Sequence, residues 1–138
     1  MTLALFDLDN TLLRGDSDYE WGQFLVKQGL VDAEAYEIAN KRFYEEYKQG
    51  TLDIRAFSAF SFTPLSQHSM QTLATLHQQF MQTVIQPMLT ADALNLVKQH
   101  QDAGHTLMII TATNSFVTRP IADAFGIPNL LATEAKVV

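Results

Sequence analysis

The order of apolar runs predicts an α/β protein whose parallel sheet is interrupted once by a helical module. Three observations lead there. Short apolar runs at Leu3 to Leu8 and Thr106 to Ile110 each stop at polar residues, helical periodicity fills the long stretch between them, and the chain after Pro87 alternates helix and strand.

Leu3 to Leu8 is long enough for a buried strand and short for a helix, and it ends at Asp9-Asn10. From Ser17 the pattern turns helical, with Trp21, Phe24 and Leu25 spaced for one face and Gly29 placed to cap the C-terminus. A second helix, from about Asp32 to Lys48, sets Tyr36, Ala39, Phe43 and Tyr47 three and four residues apart and ends at Gly50. Phe57, Phe60 and Phe62 form a third apolar cluster, stopped near Pro64. Leu73, Leu76, Phe80 and Val84 line one side of a helical stretch from Ser69 to Ile85, which runs into Pro87. Thr90 then caps a helix to Gln101 with Leu94 and Val97 inward, and Gly104 ends it. Thr106 to Ile110 is the second strand, with Thr111-Ala112-Thr113-Asn114 as its polar tip. The helix that follows, to Phe125, accepts Pro120 only in its first turn. Gly126 and Pro128 close it, and Leu130 to Ala132 begins a third strand.

A length of 138 residues fits one domain of ordinary size. The formal net charge of -6 argues against a polyanion-binding surface, so no nucleic-acid partner is expected. Without cysteine there is no disulfide scaffold, thiolate zinc site or cysteine nucleophile. His68, His77, His100 and His105 lack the H-x-x-x-H spacing of a zinc site. No apolar run approaches the roughly 20 residues of a membrane span, and the start lacks the basic n-region of a signal peptide. The expectation is a soluble, cytoplasmic protein with no membrane partner. Lys41-Arg42 ahead of Glu45-Glu46 reads as four-residue ion pairing on a solvated face, and the cap aromatics as packing.

In open α/β sheets ligands bind outside the carboxyl ends of the strands, where Asp7 to Thr11 and Thr111 to Asn114 would meet. Asp7 and Asp9 are two residues apart, so an unbroken strand would point both to one face. Crowded carboxylates are unfavourable unless a cation or shared proton offsets them, and an oxygen-rich site suits Mg²⁺. One carboxylate can then attack a phosphoryl group while the other moves the proton. The plainer alternative is an Asx-type turn at Asp9-Asn10-Thr11 with Asp7 as an edge charge.

Phe6-Asp7-Leu8-Asp9-Asn10-Thr11-Leu12 resembles the D-x-D-x-T signature of the haloacid dehalogenase superfamily of phosphohydrolases, and Leu107-Met-Ile-Ile-Thr111-Ala-Thr-Asn114 its second motif. The helices between the two motifs are similar to those of members with a helical cap, the subfamily IB enzymes that include phosphoserine phosphatases. Asp9-Asn-Thr-Leu-Leu-Arg-Gly-Asp-Ser-Asp18 before Trp21, and Thr111-Ala-Thr-Asn-Ser-Phe before Arg119-Pro-Ile-Ala, match that subfamily more finely. The resemblance implies a Rossmann-like core over residues 1–15 and 87–138, with a helical cap over 16–86. It implies a phosphatase of small phosphorylated metabolites that works through a phosphoaspartate and depends on Mg²⁺. Asp7 is then the nucleophile and a metal ligand. Asp9 is the acid/base, with its backbone carbonyl on the metal. Thr11 supports the Asp9 loop, while Thr111 and the backbone N–H groups beside it, at Ala112, hold phosphate oxygens. Asp16 faces substrate or caps the first cap helix. Arg14 lies near the mouth of the site, with Arg55 and Arg119 as further anion contacts.

In that family a lysine and a D-x-x-x-D segment follow the third strand. Lys136 is the one residue of the right type after Thr111, and it falls too early. The expectation is therefore an incomplete core, a C-terminally truncated member with little activity of its own. Leu3 to Leu8 would then be an open edge that pairs with a second copy. Two other functions stay open, a non-catalytic module that binds metal, phosphate or a protein, and a phosphotransferase on the same fold.

Overall fold

A computed structural model describes residues 2–134. Strands β1 (Leu3–Asp7), β2 (Thr106–Asn114) and β3 (Asn129–Thr133) form a parallel sheet in the order β1-β2-β3. The helices are α1 (Ser17–Lys27), α2 (Ala33–Gln49), α3 (Ile54–Ser66), α4 (Met70–Phe80), α5 (Ala91–Asp102) and α6 (Ser115–Ala124). The α/β class read from the sequence is the class observed.

Parallel strands need long crossovers, and α5 and α6 supply them and pack against the sheet. Register sets Ala4 beside Leu107 and Phe6 beside Ile109, and all four are buried. The His100 ring of α5 meets Phe6 edge-on at 5.5 Å. On the opposite face Leu3, Leu5, Ile110 and Leu131 are exposed, the first two at 53% and 55%.

Local signals placed most helix ends. Asp32, Asp53 and Thr90 accept backbone N–H bonds as N-caps of α2, α3 and α5, and Gly50 takes the left-handed conformation after α2. Where the sequence reading failed, tertiary contacts overrode it. β2 runs past Ile110 to Asn114 because β3 pairs with the polar tip. Thr133 Oγ1 donates to the Ala112 carbonyl at 2.9 Å, and the register shifts between Ile110 and Asn114. Pro120 is inside α6, beyond its first turn, where the buried face of Val117, Thr118, Ile121 and Ala122 outweighs one missing ladder donor. α3 likewise continues past Pro64 to Ser66. In α5, Ala93 and Val97 point inward and Leu94 is exposed. Tyr47 is exposed, and Lys41 pairs with Glu37 rather than Glu45, whereas Arg42 does pair with Glu46.

The chain divides into two compact units, Met1–Asp18 with Met81–Val138, and Tyr19–Phe80. The sheet-bearing unit takes in Asp16, Ser17, Asp18 and residues 81–86, which the sequence reading gave to the helical insertion. Ser17 is bonded to Asp9, and just after residue 86 Arg14 N–H donates to the Met88 carbonyl at 3.1 Å while Leu13 bridges Leu89. The helical unit is built on aromatics. Trp21 lies 5.1 Å from Phe80 and 5.5 Å from buried His77, and Phe43 packs on Phe57 and Phe60. Gly22 permits this packing, since a Cβ there would meet Asn40 Nδ2 at 2.7 Å, and that amide donates to the Tyr19 carbonyl.

Asn114 accepts from Val117 N–H at 3.0 Å as the buried N-cap of α6. Asn114→Ala should cost about 1–2 kcal/mol in chemical denaturation, and a variant as stable as the parent would contradict that role.

Candidate active site at the strand tips

β1 ends at Asp7, and the chain turns over Leu8–Leu12, closed by Leu13 N–H donating to the Leu8 carbonyl at 3.0 Å. Asn10 takes the left-handed φ of 60°, which asparagine tolerates better than most side chains. The same-face geometry of an unbroken strand therefore does not apply, because Asp9 sits in the turn.

The two carboxylates have different surroundings. Asp7 is exposed. Its Oδ1 accepts Leu8 N–H at 2.9 Å, and the Thr11 hydroxyl stands 3.5 Å from Oδ2. Thr11 thus lies against Asp7, where the resemblance gave it the Asp9 loop. Asp9 is half-buried and surrounded by donors. Its Oδ1 accepts both the N–H and the hydroxyl of Ser17, at 2.7 and 2.6 Å. Its Oδ2 accepts the Thr113 hydroxyl at 2.8 Å, with Thr111 Oγ1 at 3.4 Å, and Thr113 N–H donates to Thr111 Oγ1 at 3.1 Å. The end of β2, the turn after β1 and the start of α1 therefore converge on one carboxylate.

Of the other residues singled out, Thr111 is brought to Asp9, while Ala112 is exposed one residue further on. Asp16 is half-buried immediately before α1, and Arg14 is exposed two residues earlier. Arg119 is committed to the Pro128 carbonyl at 2.9 Å, and Arg55 belongs to the helical unit. Lys136 lies outside the described residues. Sequence reasoning missed Ser17 and Thr113. Alternation from Thr111 along an extended tip points to Thr113, and a serine opening the first helix after D-x-D-x-T points to Ser17.

The donors suit a hard cation. Among the described residues the strand tips offer oxygen ligands alone, and no group of three or more His, Cys, Asp or Glu gathers there to hold a metal. Mg²⁺ accepts few protein carboxylates and completes its shell with water and phosphate oxygens. Exposed Asp7 fits that demand.

Residues 4–138 match the family model of the haloacid dehalogenase-like hydrolases. A protein of Neisseria meningitidis described as a histidinol-phosphatase is 45% identical over 97% of this chain and 60% of its own length. A solved protein of unknown function from Bordetella pertussis superposes with a TM-score of 0.90 at 44% identity, over 99% of this chain and 62% of that one. A phosphoserine phosphohydrolase-like protein from Francisella tularensis, at 22% identity and a TM-score of 0.68 over 96% of this chain and 58% of that one, shows a shared fold. The chain thus spans about three-fifths of the length of these relatives. Among the described residues no helix is long and apolar enough to cross a membrane.

Electrostatics single out one further carboxyl. Burial, then the neighbouring charges of Asp16 and Asp9, push Asp18 from 3.8 up to about 7. Between those values the folded chain holds a proton that the unfolded chain releases, so Asp18 lowers stability as pH rises through that window and not below it. In metal-free buffer Asp18→Asn should therefore raise the melting temperature at pH 8 and change it little at pH 4. An equal change at both ends would rule out a raised Asp18.

Proposed function

The chain belongs to the haloacid dehalogenase-like hydrolases, and on that premise we propose that its strand-tip carboxylates serve the hydrolysis of small phosphomonoesters through an aspartyl-phosphate. The observation that carries the reading is the approach of Thr111 Oγ1 to Asp9 Oδ2 at 3.4 Å, across 102 positions of sequence. It joins the two motifs at the carboxyl ends of neighbouring strands, where α/β proteins bind ligands.

Asp7 is the nucleophile. Its Oδ1 is occupied by Leu8 N–H, which leaves Oδ2 the freer oxygen to bond to phosphorus as the bond to the leaving oxygen breaks. Asp9 gives its proton to that leaving oxygen. It then takes one from the water that attacks the aspartyl-phosphate, so inorganic phosphate departs and Asp7 is regenerated. Thr111 and the N–H of Ala112 hold the phosphoryl oxygens where charge develops. Asp7 and the Asp9 carbonyl would hold Mg²⁺, which supplies positive charge to the phosphoryl oxygens. Asp16 and Arg14, just before α1, are the residues assigned to substrate contact, and residues 16–86 correspond to the family's helical cap.

The name of the Neisseria relative makes histidinol phosphate the first substrate to assay. The setting we propose is the cytoplasm. Among the described residues β1 is paired on one side only. With Leu3 and Leu5 exposed, the 138-residue chain pairs with a second copy of itself along that edge.

Asp7→Asn in the full protein should reduce phosphomonoester turnover to background with the fold intact by circular dichroism, and retained turnover would end the nucleophile assignment. By sedimentation, the chain should dimerise with rising concentration and Leu5→Lys should shift it to monomer. A parent that stays monomeric would remove self-association.

A further inference from the structure

We propose that Thr113 is a positioning residue that makes Oδ2 of Asp9 the oxygen through which its proton moves. The inference rests on the acid/base reading of Asp9 given above and adds to it the atom and the group that aims it. A carboxylate oxygen has two lone-pair sites. On Oδ1 both are taken, by the Ser17 N–H at 2.7 Å and the Ser17 hydroxyl at 2.6 Å. A proton there would have to displace one of two short, charge-assisted bonds. Among the described residues, the Thr113 hydroxyl alone is within ordinary hydrogen-bond range of Oδ2, at 2.8 Å. Thr111, at 3.4 Å, is beyond the usual 2.5–3.0 Å for O–H···O bonds. Among the described residues Oδ2 therefore keeps one open site.

Thr113 is suited to this. It is buried, and its own N–H donates to Thr111 Oγ1 at 3.1 Å, so backbone and hydroxyl are both fixed at the tip of β2. Because Ser17 and Thr113 hold the two oxygens from different elements, the carboxylate cannot rotate without breaking one of them. Thr111 is left to turn toward a phosphoryl oxygen, so that Oδ2 then has Thr113 as its one hydroxyl partner of the two. The division of labour between the threonines is set by distance, since both lie within the same four-residue tip.

Thr113→Val keeps the shape and removes the hydroxyl, whereas Thr113→Ser keeps the hydroxyl. Assayed in the full protein on an aryl phosphate with Mg²⁺, the valine variant should lose about 10- to 100-fold in kcat with KM nearly unchanged, and the serine variant should recover most of that loss. A merely structural role would move both variants alike and would not be rescued by serine. A valine variant with the parent kcat overturns the proposal while leaving the phosphatase reading intact. A second measurement does not depend on turnover. In thermal unfolding of Asp9→Ala, Thr113→Val and the double variant, the two destabilisations should overlap, since removing either partner breaks the same bond. Strictly additive effects overturn the proposal even if Asp7→Asn has already refuted the phosphatase reading.

Discussion

The Asp9 carboxylate is the constraint on which the sheet-bearing unit turns. Three segments that have no reason to meet from local propensity alone, the turn after β1, the first residue of α1 and the tip of β2, are tied to its two oxygens by Ser17 and Thr113. A half-buried charge without such donors would cost several kcal/mol. With them it acts as a clasp, so the same bonds that offset its desolvation fix the position of the strand tips.

The neighbouring carboxyls differ in their surroundings. Asp7 is exposed. Asp9 is partly buried but richly bonded. Asp18 is pushed up to about 7 because burial and the charges of Asp16 and Asp9 act on it together. Carboxyls drawn from a short stretch of chain thus differ in solvent access and in the donors around them.

Much of the fold was legible because its signals are local. Asp32, Gly50 and Thr90 mark helix ends through bonds within a few residues of themselves, and the short apolar run at Leu3 to Leu8 marks β1, whose buried face of Ala4 and Phe6 only the structure picks out. Errors fell where a distant partner decided. β2 was extended through Thr111–Asn114 by pairing with β3, and α6 tolerated Pro120 because its buried face is anchored elsewhere. The three-residue spacing of Leu94 and Val97 suggests that both face inward, yet Ala93 and Val97 occupy the covered stripe of α5.

The sequence by itself determined the class of the fold, the order of its elements and the family, because apolar periodicity, capping residues and the D-x-D-x-T pattern are properties of neighbouring residues. Only the tertiary structure decided which side chains hold those motifs together. Ser17 and Thr113 carry no distinguishing composition, and their importance arises from distances of 2.6–2.8 Å to a carboxylate that lies 8 and 104 positions away. Hydrogen-bond partners across such separations are set by how strands and turns pack, and packing is a property of the folded chain rather than of any stretch of it.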